Sequence, residues 1–365
     1  MTRQTGILAD GAIRALFAAG RLKSEAALDI DQVQPASLDL RLGSKAYRVR
    51  ASFMPGPGHL VADKLARLKL HEIDLADGAV LETGCVYIVP LMESLDLPAE
   101  MSASANPKSS TGRLDIFTRV MTDRAQEFDK IPAGYNGPLY LEISPRTFPI
   151  VVRRGSRLSQ IRFRIGHALL NDADLLSLHD NETLVASEAP NVSNGGIAVS
   201  IDLEGTGPDG LIGYRGKHHT AVIDVDAKAA HDVLDFWEPL YSRGRAELIL
   251  DPDEFYILVS REAVHVPPLY AAEMTPYDTL VGEFRVHYAG FFDPGFGHAD
   301  AGGAGAKAVL EVRSHEVPFI LEHAQIVGRL VYENMLDRPQ GLYGTGLGSN
   351  YQAQGLKLSK HFRLP

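Results

Sequence analysis

A mainly β fold built twice over is what this chain predicts, and three observations carry that reading. Among its 365 residues, 34 Gly and 21 Pro, with Asn and Asp, punctuate many short apolar-rich segments, as in a sandwich or barrel and unlike βαβ units. Similar phrases return at one fixed separation. Helical periodicity is confined to peripheral stretches.

The repeat is the strongest of these signals. Tyr87 and Tyr256 sit in the matching strands Val86-Tyr87-Ile88-Val89 and Phe255-Tyr256-Ile257-Leu258, 169 residues apart. The same separation pairs Pro98 with Pro267, Pro149 with Pro318, and Glu142 with Glu311, inside Leu139-Tyr140-Leu141-Glu142-Ile143 and Ala308-Val309-Leu310-Glu311-Val312. Upstream, Ser37-Leu38-Asp39-Leu40 resembles Ser200-Ile201-Asp202-Leu203 at a separation of 163, so intervening loops differ by six residues. Two domains follow, 1–190 and 191–365, joined through the Ser-, Asn-, Glu- and Gly-rich stretch Asn181 to Gly196.

The elements follow in chain order. A helix is expected from about Asp10 to Gly20, where Ile13, Leu16 and Phe17 share a face. Next comes the densest polar constellation, Asn106-Pro107-Lys108-Ser109-Ser110-Thr111-Gly112-Arg113. Its hydroxyls, ammonium and guanidinium suit an oxyanion, although a solvated turn capping a helix satisfies the same residues, and no Walker pattern is present. Glu142 follows in an apolar run, sharing a strand face with Tyr140. A half-buried carboxylate there is either a tuned proton shuttle or half of a structural ion pair. Between Glu142 and Asp172 no acid occurs, yet Arg146, Arg153, Arg154, Arg157, Arg162 and Arg164 do. Most of that basic tract is expected to be a solvated sheet face. A second helix is expected over Ala227 to Leu240, with Trp237 in the core. The Gly-rich tail from Gly341 to Lys360 cannot build a core; its Tyr, Gln and Lys favour a lid over a disordered end.

Composition excludes several classes. With 45% apolar residues and no long uncharged apolar run, neither a membrane span nor a secretory signal is seen, and the cytoplasm is the default compartment. A net charge of −10 argues against a nucleic acid polymer as partner. The single cysteine, Cys85, permits neither an intrachain disulfide nor a zinc site with two thiolates, and it is expected to be buried in a strand. His218-His219 and the other histidines show no partner carboxylate at ligand spacing, so no metal site is expected.

Taken together, Gln34-Pro35-Ala36-Ser37-Leu38-Asp39-Leu40-Arg41-Leu42-Gly43, Ser109-Ser110-Thr111-Gly112-Arg113, Leu141-Glu142 and Tyr351-Gln352-Ala353-Gln354-Gly355 resemble, in order and spacing, the dCTP deaminases of the dUTPase-like superfamily. The resemblance covers the first copy and the tail, with the middle as a diverged second copy. It implies two tandem distorted β-barrel domains with peripheral helices, homotrimers with active sites at subunit interfaces, and hydrolysis of dCTP to dUTP and ammonia without zinc. Magnesium would arrive on the triphosphate. Carried over by motif, Glu142 is the general base, with Ser109 and Arg113 positioning water and carboxylate. Lys108, Ser110, Asp129, Gln160, Tyr343, Tyr351, Gln354, Lys357 and Lys360 are the substrate-binding candidates. Inhibition by dTTP is a further family expectation.

The second copy departs from this pattern. The separation of 169 puts Asp278, Thr279 and Gly282 where the first has Ser109, Ser110 and Arg113, so it has lost the guanidinium. Yet its Phe292-Asp293-Pro294-Gly295-Phe296 is closer to the family's nucleoside loop than Phe128-Asp129-Lys130-Ile131-Pro132 in the first copy. The expectation is a catalytic ring of first copies using Glu142, and a structural ring of second copies delivering the tail. Two other functions compete: a dUTP pyrophosphatase or bifunctional enzyme giving dUMP, and a non-catalytic nucleotide-binding regulator.

Overall fold

A computed structural model describes residues 4–187, 189–205, 209–242, 244–276, 284–287, 290–314, 316–344 and 355–363. It is mainly β, in two barrels of matching topology. In the first unit one sheet runs Lys69–Asp74, Lys45–Val49, Val86–Asp96, Asn136–Pro145, Ile116–Thr122. The second unit repeats that order as Trp237–Tyr241, Leu211–Gly216, Tyr256–Val264, Ala306–Ser314, Phe284–His287. Registers repeat too. Glu142 lies opposite Ile88, and Glu311 opposite Ile257. The facing sheet of the first unit is built on Arg157–Ile165 between Leu38–Arg41 and Met101–Pro107; Ile326–Asn334 between Gly196–Ser200 and Tyr270–Pro276 is its counterpart.

Helices are few. Helix α1, Asp10–Ala18, lies where periodicity places it, with Ile13 buried. Helix α2, Val61–Leu68, packs Val61 and Leu65 on the first unit, and α3, Ser109–Gly112, is one turn at the polar constellation. Helix α4, Asp172–Asn181, is capped by Asn171. It contributes Leu175 to the second core, which also holds Leu170, Leu184 and Val185. Residues from Leu170 on thus pack into the second core, ahead of the boundary expected near 190. The helix expected over Ala227 to Leu240 shrinks to α5, Val233–Phe236. Trp237–Tyr241 is instead a strand beside Leu211–Gly216, and His231–Asp232 pairs with Phe362–Arg363, so sheet partners override the helical spacing.

The units share a seam. Trp237, Phe236, Phe255, Ile257 and Val309 of the second unit join the core of the first, where Phe148 meets Trp237 edge-on at 5.2 Å. Leu358 and Phe362 are buried in the same cluster, so this part of the tail, expected to contribute no core, does contribute. Polar contacts also cross the seam. Arg162, expected on a solvated face, has a fully buried side chain that donates to Asp293 Oδ1 at 3.2 Å and Ala272 O at 3.2 Å. Arg164 reaches Glu333 at 3.1 Å, and Arg153 forms a bidentate pair with Asp224 at 2.7 Å. The absence of neighbouring acids in sequence misleads here, because the acids come from the other unit. Cys85 is half-buried just ahead of the strand Val86–Asp96 rather than inside it, and His218 does have a partner, Glu254 at 2.9 Å.

Candidate active site

The turn α3 positions the first half of the site. Pro107 ends a strand, Lys108 is extended, and the chain then coils once so that the Arg113 amide donates to Ser109 O at 3.1 Å. Ser109 and Arg113 thus lie one turn apart. Ser110 and Arg113 are buried and Ser109 is half-buried. Beside them Lys108 Nζ pairs with buried Asp39, which also lies 3.7 Å from Arg157. Gln160 accepts from Ser37 at 3.3 Å on the adjoining strand.

The carboxylate that faces Arg113 is Glu311, at 4.0 Å, across the seam. Glu142 does not reach it. Its carboxylate pairs with Arg119, at 3.0 Å from Nε and 2.5 Å from Nη2, and Arg119 also donates to Ser52 at 2.7 Å. Arg119 stacks on Phe128 at 3.6 Å from the ring centroid. Asp129 belongs to that neighbourhood too, accepting the Val120 amide at 2.7 Å, and burial pushes its carboxyl up to about 7. The structure therefore joins Lys108, Ser109, Ser110, Arg113 and Gln160, and separates Glu142 and Asp129 from them. The reason is topological: the Glu142 face of the first unit is covered by its own chain, whereas the Glu311 face of the second is laid against the first.

Burial pushes the Glu311 carboxyl up to about 8, the nearby Asp115 adding to the rise and the Arg113 guanidinium opposing it. Asp115 in turn is paired with Arg313, two residues beyond Glu311, and Thr147 donates to Asp115 at 2.6 Å. The Glu311 strand is thereby tied to the turn that carries Arg113. The tail closes the other side. Arg113 Nη1 donates to Lys357 O at 2.9 Å, and Ser359 Oγ lies 2.8 Å from Ser110 O. His361 Nε2 donates to Val225 O at 2.9 Å, and burial lowers the ring to about 4, so it is neutral at pH 7. Lys357 is held below its ordinary range by burial and Arg113, Lys360 by burial and the charges of Lys108 and Lys228. Tyr343 packs at a tilt against Phe296 of the Asp293 loop, with ring centroids 5.6 Å apart. Tyr351 and Gln354, and the substituted positions Asp278, Thr279 and Gly282, lie outside the described residues.

Sequence reasoning left open whether the second copy supplies Glu311, and it did not single out Asp115, Arg313 or Arg119. One signal pointed to Glu311: the copies keep complementary parts, Ser-Ser-Thr-Gly-Arg in one and Phe-Asp-Pro-Gly-Phe with Glu311 in the other.

Crowded cations beside one buried carboxylic acid of raised pKa form an arrangement compatible with an anionic ligand and a proton-transfer group. Comparison with known proteins makes the class specific. Residues 4–167 match the model of the 2'-deoxycytidine 5'-triphosphate deaminase N-terminal domain, and 171–362 match the model of its C-terminal domain. The crystal structure of 2'-deoxycytidine 5'-triphosphate deaminase from Agrobacterium tumefaciens is 84% identical, covers 95% of this chain and 100% of its own, and superposes with a TM-score of 0.91. A dCTP deaminase of Halorubrum lacusprofundi is 31% identical over 161 residues, 43% of this chain and 76% of its own length. A relative from Beutenbergia cavernae named dCTP deaminase, dUMP-forming, is 29% identical over 158 residues, 43% of this chain and 78% of its own. The chain belongs to the dCTP deaminase family, with the dUTPase-like barrel twice in one polypeptide.

Proposed function

We propose that this protein hydrolyses dCTP to dUTP and ammonia, with Glu311 as the proton-transfer group and Ser109 and Arg113 as its partners. The observation that carries the reading is the buried Arg113–Glu311 approach at 4.0 Å, with the carboxyl poised at about 8. Ionised Glu311 takes a proton from water as the water oxygen bonds to C4 of the cytosine. It returns that proton to the ring nitrogen N3, and the second proton of the water goes to the exocyclic amine, so that the C4–N4 bond breaks and ammonia leaves. Nothing else is consumed. Arg113 keeps the carboxylate form accessible despite its burial. Glu142 is instead held in an ion pair with Arg119, with no neighbouring hydroxyl-rich turn, which gives it a structural role.

The triphosphate is met by Lys108, Lys357 and Lys360 with Ser110, while Asp293, Gln160 and Tyr343 stand on the nucleoside side. Lys360 and Lys357, depressed by burial and then by neighbouring cations, are shifted back up when an anion enters. That donor set suits phosphate oxygens, so magnesium is carried by the nucleotide and by water. Among the described residues no three His, Cys, Asp or Glu side chains cluster as a metal site. No described helix is long and apolar enough to cross a membrane, and the single cysteine is consistent with a cytoplasmic setting.

Ammonia release from dCTP and Mg²⁺ tests the reading. Glu311→Gln lowers kcat by about 10²–10⁴-fold, the usual worth of a general base, while Glu142→Gln keeps most of the activity. The reverse pattern refutes it. The dUMP-forming relative supports a second reading, in which the same site also cleaves the triphosphate; pyrophosphate among the products decides for it. Adding dTTP to the same assay tests inhibition.

A further inference from the structure

We infer that the site is completed within one polypeptide, and that the equivalent face of the first unit is closed, so each chain carries one deaminase site and shares none through Glu142. This rests on the reading of Arg113 and Glu311 given above.

The two units present the same sheet face to different neighbours. In the second unit Glu311, Val309 and Ile257 share a face. Val309 and Ile257 pack into the core of the first unit with Phe148, Trp237, Leu358 and Phe362. In the first unit the equivalent face carries Glu142, Tyr140 and Ile88. There Tyr140 and Ile88 pack with Val61 and Leu65 of α2, with Phe53 and Phe128 alongside. The covering segment is fastened at both ends: the Val61 amide donates to Asp123 Oδ1 at 2.8 Å, and Arg119 bridges Ser52 to Glu142. Glu142 is left 1% exposed. A neighbouring hydroxyl-rich turn could reach it only after α2 and residues 52–60 had lifted and the Arg119 pair had broken.

The other half of the argument is occupancy. A ring of first units, each lending Glu142 to the next unit's Ser109 and Arg113, needs the edge that Glu311 already faces within the chain. Arg113 is 3% exposed there, and Glu311 and Lys357 of the same polypeptide are among its partners. The expected ring of catalytic first copies therefore does not fit this arrangement.

Complementation tests the inference. Arg113→Ala and Glu311→Gln chains, separately tagged, are co-expressed and mixed assemblies are isolated through both tags. Ammonia release no greater than that of either variant alone is expected, and failure to isolate mixed assemblies agrees equally. Recovered activity would mean that chains exchange halves of the site and overturns the inference. Calorimetric titration of the Glu311→Gln protein with dCTP gives a second readout: one nucleotide per chain is expected, and two would show an open Glu142 face. A Glu311→Gln protein that is fully active on its own sinks the earlier proposal instead, so the two failures are separable.

Discussion

Arg162→Met removes a guanidinium that is buried outright and tied across the seam. Its side chain has no exposure and donates to Asp293 Oδ1 and to the carbonyls of Ala272 and Phe292, while its charge lies over the Phe291 ring at 4.0 Å. Glu333, 3.7 Å away, retains Arg164 at 3.1 Å after the change, so the group left stranded is Asp293. Removing one partner of a buried pair costs about 3–5 kcal/mol. Burial already raises the Asp293 carboxyl against the pull of Arg162; without that cation it rises further and takes a proton. The folded variant then binds a proton that the unfolded chain, above its own carboxylate pKa of about 3.9, does not. The variant's deficit relative to wild type must shrink as pH falls, by up to about 1.4 kcal/mol per pH unit while the variant's Asp293 binds a proton that the wild type's does not. Trp237, the single tryptophan, sits in the seam and reports its opening in urea by fluorescence. A loss below about 1 kcal/mol, or one that grows toward acid, would refute the placement of a buried, uncompensated charge at Asp293.

Two further outcomes follow from the site. In wild type, kcat/KM rises with pH as Glu311 ionises, giving an acid limb at about 8; Asp115→Asn removes a charge that holds this group up and frees the Arg313 cation, so the limb moves to lower pH, and a pH–rate profile with the limb unmoved or raised counts against the arrangement. Gly295 has φ +97°, and a Cβ there would lie 2.9 Å from Leu342 Cβ and 3.0 Å from the Tyr343 amide. Gly295→Ala therefore strains the Asp293 loop by about 1–3 kcal/mol, and steady-state kinetics with dCTP show KM rising more than kcat falls.

What the sequence could convey was governed by range. The duplication was legible because register survives substitution: Tyr87 and Tyr256, or Glu142 and Glu311, hold equivalent positions in matching sheets. The polar turn was legible because its chemistry is contiguous, from Lys108 to Arg113. The pairing of its Arg113 with Glu311 was not, since the two are brought together only by docking of one unit on the other. Arg162 failed for the same reason: strand alternation identifies two faces but cannot say that one will be covered by Asp293 and Glu333. Helix α5 and the strand after it show local periodicity losing to a sheet edge and to the tail strand Phe362–Arg363. The covering of Glu142 by α2 was likewise hidden, because the phrases around Glu142 and Glu311 are both apolar strands and differ only in which apolar residues flank the acid.

The unequal covering of these two faces bears on the history of the fold. Once two copies share a polypeptide, each is released from keeping a whole set of working parts, and loss in one is silent while the other retains the missing piece. On the proposed reading the first copy lends the hydroxyls and guanidinium and has its own acid buried beside a helix, while the second lends Glu311 and carries Asp278 and Gly282 in place of a serine and an arginine. Such losses would be complementary and hard to reverse, because neither half, cut free and allowed to self-associate, would inherit a complete set.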